Sequence, residues 1–210
     1  DLKAFQYFSR IVEDFDDGRA VEWFCAFDYG HVHYTVCLLG CRDGDGNTFV
    51  VDEHAERLWL PQRHAAAIKA MLGRSKLGDR RLELGDLKRF VAGADVFSRQ
   101  SDGTTVAAQY ARQGITLRPA NTDRINGWAE VMQGFGDAEG GIRPTLFIHQ
   151  RCARLIETLP ALQHDPNRPE DVLKVDADEE GVGGDDAADA LRYLVATKSR
   201  AVEVRRLRGL

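Results

Sequence analysis

The sequence predicts an α/β fold: a mixed sheet, with an antiparallel three-stranded meander plus parallel strands, flanked by helices. Three observations carry that prediction. Residues 21–29, 33–41 and 48–53 are runs rich in aromatic and β-favouring residues, and the second and third are joined by the turn signal Asp43-Gly44-Asp45-Gly46-Asn47. From residue 61 onward, helix-length segments alternate with short apolar runs, an order that places further strands between helices. Hydrophobic residues are 43% and charged residues 29% of the 210, enough for a real core and too apolar for wholesale disorder.

Taken in order, residues 1–20 read as a lead-in, with a short helix on Leu2, Phe5, Phe8 and Ile11 and then an acidic loop. This stretch is charged and mixed, unlike a signal peptide, and it opens on Asp rather than Met, so the expectation is a fragment or a processed chain. Residues 21–197 are expected to form the domain. Its first strand stops at Asp28-Tyr29-Gly30. Pro61 suits the first turn of a helix running to residue 72. Residues 73–86 read as a charged loop, and 87–94 as a fourth strand ending at Asp95. A helix over 102–113 is closed by Gly114. A short strand over 115–117 follows, then a helix over 122–135 capped by Thr122 or Asp123. Residues 145–149 read as the last strand and 152–159 as a helix. The stretch 160–184 holds three of the six prolines and much acid, which reads as a mobile loop hinged at 181–184. A final helix covers 185–197, and 198–210 is a basic tail. The order β-β-β-α-β-α-β-α is compatible with a ribonuclease-H-like fold.

No apolar run approaches the ~20 residues that span a bilayer. Cys25, Cys37, Cys41 and Cys152 form no CxxC pair and no zinc-finger spacing with His, so they read as buried free thiols of a reducing cytoplasm. Net charge is −5, but it is unevenly placed. Acid gathers over 176–189, and base over 74–89 and 200–210. A protein that holds divalent cations with carboxylates can be acidic overall and still grip phosphates locally. There is no GxxxxGK[ST] phosphate loop, no GxGxxG and no GxSxG.

Four aspartates share a context. Asp28 lies near the end of the first strand and Asp95 at the end of the fourth. Asp186 and Asp189, three apart, share one face of the last helix. Neighbouring strand ends lie ~4.8 Å apart, so carboxylates from two strands and a helix can converge. Hard divalent cations prefer oxygen ligands. Two such ions ~3.5–4 Å apart can clamp the attacking water and the leaving oxygen of a phosphodiester. The plainer reading of each Asp alone is a turn residue or a helix cap. Asp185, Asp186 and Asp189 crowd one turn, and an unscreened carboxylate pair at ~4 Å costs roughly 4 kcal/mol at an effective dielectric of ~20. Bound metal is expected to relieve that. Asp189→Ala is therefore expected not to destabilise the metal-free protein. His31 and His33 read as surface residues, His149 as a sheet cap and Trp128 as core.

Motifs then enter together. Phe27-Asp28-Tyr29-Gly30 resembles the first-strand motif of phage terminase large subunits. Gly93-Ala94-Asp95-Val96-Phe97-Ser98 resembles their second acidic motif. Asn121-Thr122-Asp123-Arg124-Ile125-Asn126-Gly127-Trp128 is similar to a further signature. Asp185-Asp186-Ala187-Ala188-Asp189-Ala190-Leu191-Arg192-Tyr193 is similar to the closing motif. The resemblance covers residues 20–197 and implies the C-terminal nuclease domain, with a ribonuclease-H-like fold. It implies Mg²⁺ or Mn²⁺ bound by Asp28, Asp95 and Asp189, with Asp28 bridging two ions and Asp185 or Asp186 supplying an extra ligand. Asp186 stands where many relatives carry His. It also implies cutting of concatemeric double-stranded viral DNA during packaging, in the host cytoplasm at the procapsid portal. An ATPase domain, the portal and the small terminase subunit would be the partners. Arg80, Arg81, Lys88, Arg124 and the basic tail would hold the DNA backbone, with little sequence preference and with affinity that falls with salt. The acidic loop over 176–186 would hinder DNA approach. The competing readings are another ribonuclease-H-like nuclease, of the junction-resolvase or transposase type, and a non-catalytic module that docks on DNA or a portal.

Overall fold

The computed structural model describes residues 16–197 and the backbone of Ile11–Val12. Most of the predicted lead-in helix and the whole basic tail lie outside the described residues. Ile11, assigned to that helix by the sequence, is instead in a two-residue strand, β1 (Ile11–Val12).

The meander expected from the sequence is present. Strands β2 (Ala20–Asp28), β3 (Thr35–Asp43) and β4 (Thr48–Glu56) pair antiparallel in sequence order. Helix α1 (Pro61–Leu72) follows, with Pro at its first turn. The charged loop contains a small hairpin, β5 (Lys76–Leu77) with β6 (Arg80–Arg81), missed by the sequence reading. Strand β7 (Leu87–Ala92) then runs parallel to β2. Helix α2 (Val106–Ala111) is shorter than expected, because Thr105 caps it and the chain before it is a turn. The next strand falls not on 115–117 but on β8 (Arg118–Pro119), beside β7. The reason is local: the Ile115 N–H still donates to the Tyr110 carbonyl at the end of α2.

Helix α3 (Arg124–Phe135) is capped by Asp123, whose side chain accepts from the Asn126 N–H. Strand β9 (Leu146–His149) adds parallel to β4, and β1 adds parallel to β9. Helix α4 (Ala153–Thr158) follows. The stretch read as one loop holds a second hairpin, β10 (His164–Asp165) with β11 (Arg168–Val172). Helix α5 (Asp186–Ala196) ends the described chain. The main sheet has seven strands in the order β1-β9-β4-β3-β2-β7-β8.

Both faces of this sheet are covered, which is why β2 and β3 read as continuous apolar runs rather than alternating ones. Successive side chains of β2 still point to opposite faces. Phe24 and Ala26 pack in a cluster with Trp128, Val131, Leu191 and Leu194 of α3 and α5. Trp23, Cys25 and Phe27 pack in another with Ile68 and Met71 of α1 and Tyr110 of α2. At roughly 1.5–3 kcal/mol for each large apolar side chain fully buried, this double core fixes the register of β2 and so the position of its last residue, Asp28. All four cysteines are free and buried.

Candidate active site

Strands β2 and β7 are parallel and end together. Phe27 lies opposite Ala92, and the Gly93 N–H donates to the Phe27 carbonyl at 3.3 Å. Asp28 is the last residue of β2. Asp95 does not end the strand, as the sequence suggested, but sits in a 3-10 turn over Ala94–Phe97 just beyond it. Two glycines allow the tight packing there. A Cβ on Gly93 would stand 2.8 Å from the Asp95 carboxylate and 3.1 Å from the Tyr193 hydroxyl. One on Gly30 would stand 2.7 Å from backbone atoms of His33 and Tyr34, so the turn that carries the chain away from Asp28 needs glycine.

Helix α5 packs against β2, β3 and β7, and the charges of Asp186 and Asp189 in its first turn act on Asp28 at the end of β2. That turn contains Asp186 and Asp189, and Asp185 immediately precedes it. Carboxylates at a helix N-terminus are favoured by its dipole, by ~0.3–1 kcal/mol each. That is too little to hold so many together. Burial pushes the Asp28 carboxyl well above its ordinary value, and the charges of Asp189, Asp186 and Asp95 push it further, opposed by Lys174. Those three neighbours, from two further stretches of chain, are thus close enough to act on Asp28. Asp185 lies 3.3 Å from Lys174, and burial together with the charges of Asp189 and Asp186 raises its carboxyl. Burial also raises Asp186, against the charges of His33, Arg154 and Lys174. Its Oδ2 is buried with no hydrogen-bond partner.

Asp189 behaves differently, and here the sequence reading is corrected. The cluster is not unscreened. Asp189 is 1% exposed and is surrounded by cations. Arg192 donates to it through Nε at 3.1 Å and Nη2 at 3.0 Å, Arg124 through Nη1 at 3.3 Å, and Lys174 through its ammonium. Burial alone would raise its carboxyl, but Arg192, Lys174 and Arg124 outweigh burial and hold it below the ordinary value. Arg192 is itself buried, its guanidinium lying over the Trp128 and Tyr193 rings.

Sequence reasoning missed Lys174, Arg192 and Arg154. Arg192 had a signal, the three-residue spacing from Asp189. Arg154 donates to the carbonyls of Gly181 and Gly183 and lies 3.8 Å over the Tyr34 ring, fastening the glycine hinge that leads into α5.

The cations expected to hold DNA differ in their surroundings. Arg124 is a brace. Its Nε donates to Asp171 at 2.8 Å and its Nη2 to the Val172 carbonyl at 2.9 Å, besides its bond to Asp189. Arg80 is taken up by Asp86. Arg81 and Lys88 are exposed. Lys88 sits at the start of β7, four residues before Ala92, which at ~3.3 Å per residue is roughly 13 Å along the strand from the carboxylate end. His31 and His33 are exposed, while His149 and Trp128 are buried.

The acidic side chains at the end of β2, in the turn after β7 and at the start of α5 are oxygen donors of the kind hard divalent cations prefer, and a carboxylate oxygen each of Asp185 and Asp186 is buried with no hydrogen-bond partner. Among the described residues no group of three or more His, Cys, Asp or Glu side chains stands close enough together to hold a metal ion.

No protein-family model matches the sequence. No curated protein matches it either. Solved structures do. The nuclease domain of the P22 large terminase matches with a TM-score of 0.67 and 16% identity, over 90% of this chain and 88% of that one. The large terminase of a thermophilic bacteriophage, in complex with ADP, matches with a TM-score of 0.64 and 16% identity, over 89% of this chain and 41% of that one. The same protein in complex with ATP-gamma-S gives 0.64 and 14%, over 93% and 44%. This chain thus spans less than half the length of the thermophilic phage's terminase. Its fold is that of a phage large-terminase nuclease domain, a ribonuclease-H-like mixed sheet flanked by helices.

Proposed function

We propose that this chain is a metal-dependent endonuclease that hydrolyses phosphodiesters of double-stranded DNA, and that it serves as the nuclease part of a phage large terminase. One observation carries the reading: the charges of Asp95, Asp186 and Asp189 all act on Asp28, the buried acid at the end of β2, within the fold of a terminase nuclease domain. Asp28, Asp95 and Asp189 would hold Mg²⁺ or Mn²⁺, with Asp186, whose charge acts on Asp28, as the extra ligand. The ion's positive charge would offset the negative charge that develops on a phosphodiester attacked by water. The chain's own residues do the rest. The register of β2 fixes Asp28, the turn after Gly93 presents Asp95, and Arg192 and Arg124 orient Asp189. In the same reading, the substrate in a cell is concatemeric viral DNA in the host cytoplasm. The ATPase domain, portal and small terminase subunit are then the partners.

The test is plasmid cleavage. The chain is incubated with supercoiled plasmid in Mn²⁺, Mg²⁺ or EDTA, beside Asp28→Asn. Nicking and linearisation in metal are expected from the first protein and none from the variant. Cutting that survives Asp28→Asn, or cutting in EDTA, would refute this site. Asp28→Asn removes a carboxylate that burial disfavours, so it is expected to remain folded.

A further inference from the structure

The cation inside the carboxylate cluster comes from the chain itself. Lys174 lies two residues past β11, and its ammonium bonds to Asp189 and stands 3.3 Å from Asp185. Its charge also reaches Asp28, Asp95 and Asp186. This placement is built. On one side, the Val172 carbonyl accepts from Arg124 at 2.9 Å, and Asp171 is paired with the same guanidinium. On the other, the Val175 carbonyl accepts from the Asp185 N–H at 3.0 Å. The segment that carries Lys174 is thus fastened at one end to Arg124 of α3, which itself bonds Asp189, and at the other to Asp185 at the start of α5.

The rest of the lysine is open. Its side chain is 63% exposed, against 2% for Asp189. A four-carbon stem in solvent can swing its ammonium into water without repacking the core. A buried carboxylate group cannot move away in the same manner. The mobile partner of the pair is therefore the lysine.

We propose that Lys174 is the resident counter-ion of this cluster, and that a divalent cation enters by displacing its ammonium. The inference rests on the cluster taking such a cation, as argued above. Lys174 then sets how tightly metal is held, because each binding event must first break its ion pairs. In the metal-free protein the lysine screens the carboxylates and keeps the first turn of α5 in place.

The measurement is Mn²⁺ binding by titration calorimetry in the absence of DNA, on the whole chain, Lys174→Met, Lys174→Arg and Asp28→Asn. Lys174→Met is expected to bind about tenfold tighter, the scale of one charge-assisted hydrogen bond removed from the competing state. Lys174→Arg keeps a cation and is expected to bind no tighter than the unaltered chain. Thermal melts complete the cycle. Lys174→Met is expected to melt earlier in EDTA and together with the unaltered chain in saturating Mn²⁺. Equal Mn²⁺ affinity in Lys174→Met and the unaltered chain would overturn the proposal while leaving the metal site standing. So would a melting difference that persists in Mn²⁺, since the lysine would then have stayed in place. If Asp28→Asn loses binding while Lys174→Met binds as the unaltered chain does, the metal site is upheld and the lysine's role is refuted. If no protein binds Mn²⁺, both readings fall.

Discussion

Asp189→Ala is expected to destabilise the metal-free protein by roughly 3 kcal/mol, the lower end of the ~3–5 kcal/mol seen when one partner of a buried ion pair is removed. The loss falls mainly on Arg192. Lys174 is exposed and can turn to water, and Arg124 keeps Asp171 and the Val172 carbonyl. Arg192 has neither escape. Its side chain is 2% exposed, its Nη1 already lacks a hydrogen-bond partner, and Asp189 is the acceptor of its Nε and Nη2. Relief of repulsion works the other way but is smaller. The Asp189 charge raises Asp28 and Asp185, but Arg192, Lys174 and Arg124 around Asp189 hold its own carboxyl below the ordinary value, so attraction outweighs repulsion there. Urea unfolding in EDTA checks this. A midpoint unchanged or raised by Asp189→Ala would show that repulsion dominates. The double variant Asp189→Ala/Arg192→Leu should recover part of the loss, because it leaves no buried charge alone.

That prediction reverses the one the sequence supports, and the reason marks what a sequence can carry. Acids crowded at the start of one helix are visible as a motif. The cation that neutralises them from fifteen residues away in the chain is not, because Lys174 sits in a stretch with no periodic pattern. The same holds for the hairpins. In β10–β11 the exposed run Arg168, Pro169 and Glu170 has no apolar face to announce a strand, and in β5–β6 the paired Arg80 and Arg81 are exposed as well. The meander was legible because the opposite constraint applies. Strands β2 and β3 are buried on both faces, so selection of apolar side chains is continuous along them. Asp28 stood out as an acid at the end of such a run. Asp95 was found as a residue but misplaced, since the chain leaves the strand at Ala92 and Asp95 falls in the 3-10 turn after Gly93, where Tyr193 of α5 packs too close for a side chain.

One contribution to stability is expected to be lost in acid, at a site remote in sequence from the aspartates. His54 and His64 are buried, at 8% and 0% exposure, and share a hydrogen bond of 2.8 Å between Nε2 and Nδ1. Burial, then the neighbouring imidazole and Arg74, lowers His54 from 6.5 to about 4. Burial, with His31 and Arg63 and against the Trp59 backbone, lowers His64 from 6.5 to about 4. In the unfolded chain both rings take up protons near pH 6.5, and in the folded chain only near pH 4. The unfolded state therefore binds more protons across that window. The stability that the neutral pair confers is complete above about pH 6.5 and is lost as pH falls towards about 4. At ~1.36 kcal/mol per pH unit, the fall from 6.5 to about 4 amounts to about 3 kcal/mol for one ring, and the second adds less because the two titrate as a pair. Glu53 acts with the opposite sign. Burial pushes it from 4.5 to about 7, so it gains stability on acidification in an overlapping window, as the raised Asp28, Asp185 and Asp186 carboxyls also do. The imidazole contribution is thus read as a difference between proteins. His64→Gln keeps a hydrogen-bonding side chain beside His54 but does not titrate. Urea midpoints at about pH 7.5 and about pH 4.5, either side of the window, should converge in this variant relative to the unaltered chain. Trp59 has its ring 5.7 Å from His54 and 5.6 Å from His64 and is a fluorescent reporter for the measurement. An identical pH difference in both proteins would mean that the imidazole pair is not buried neutral.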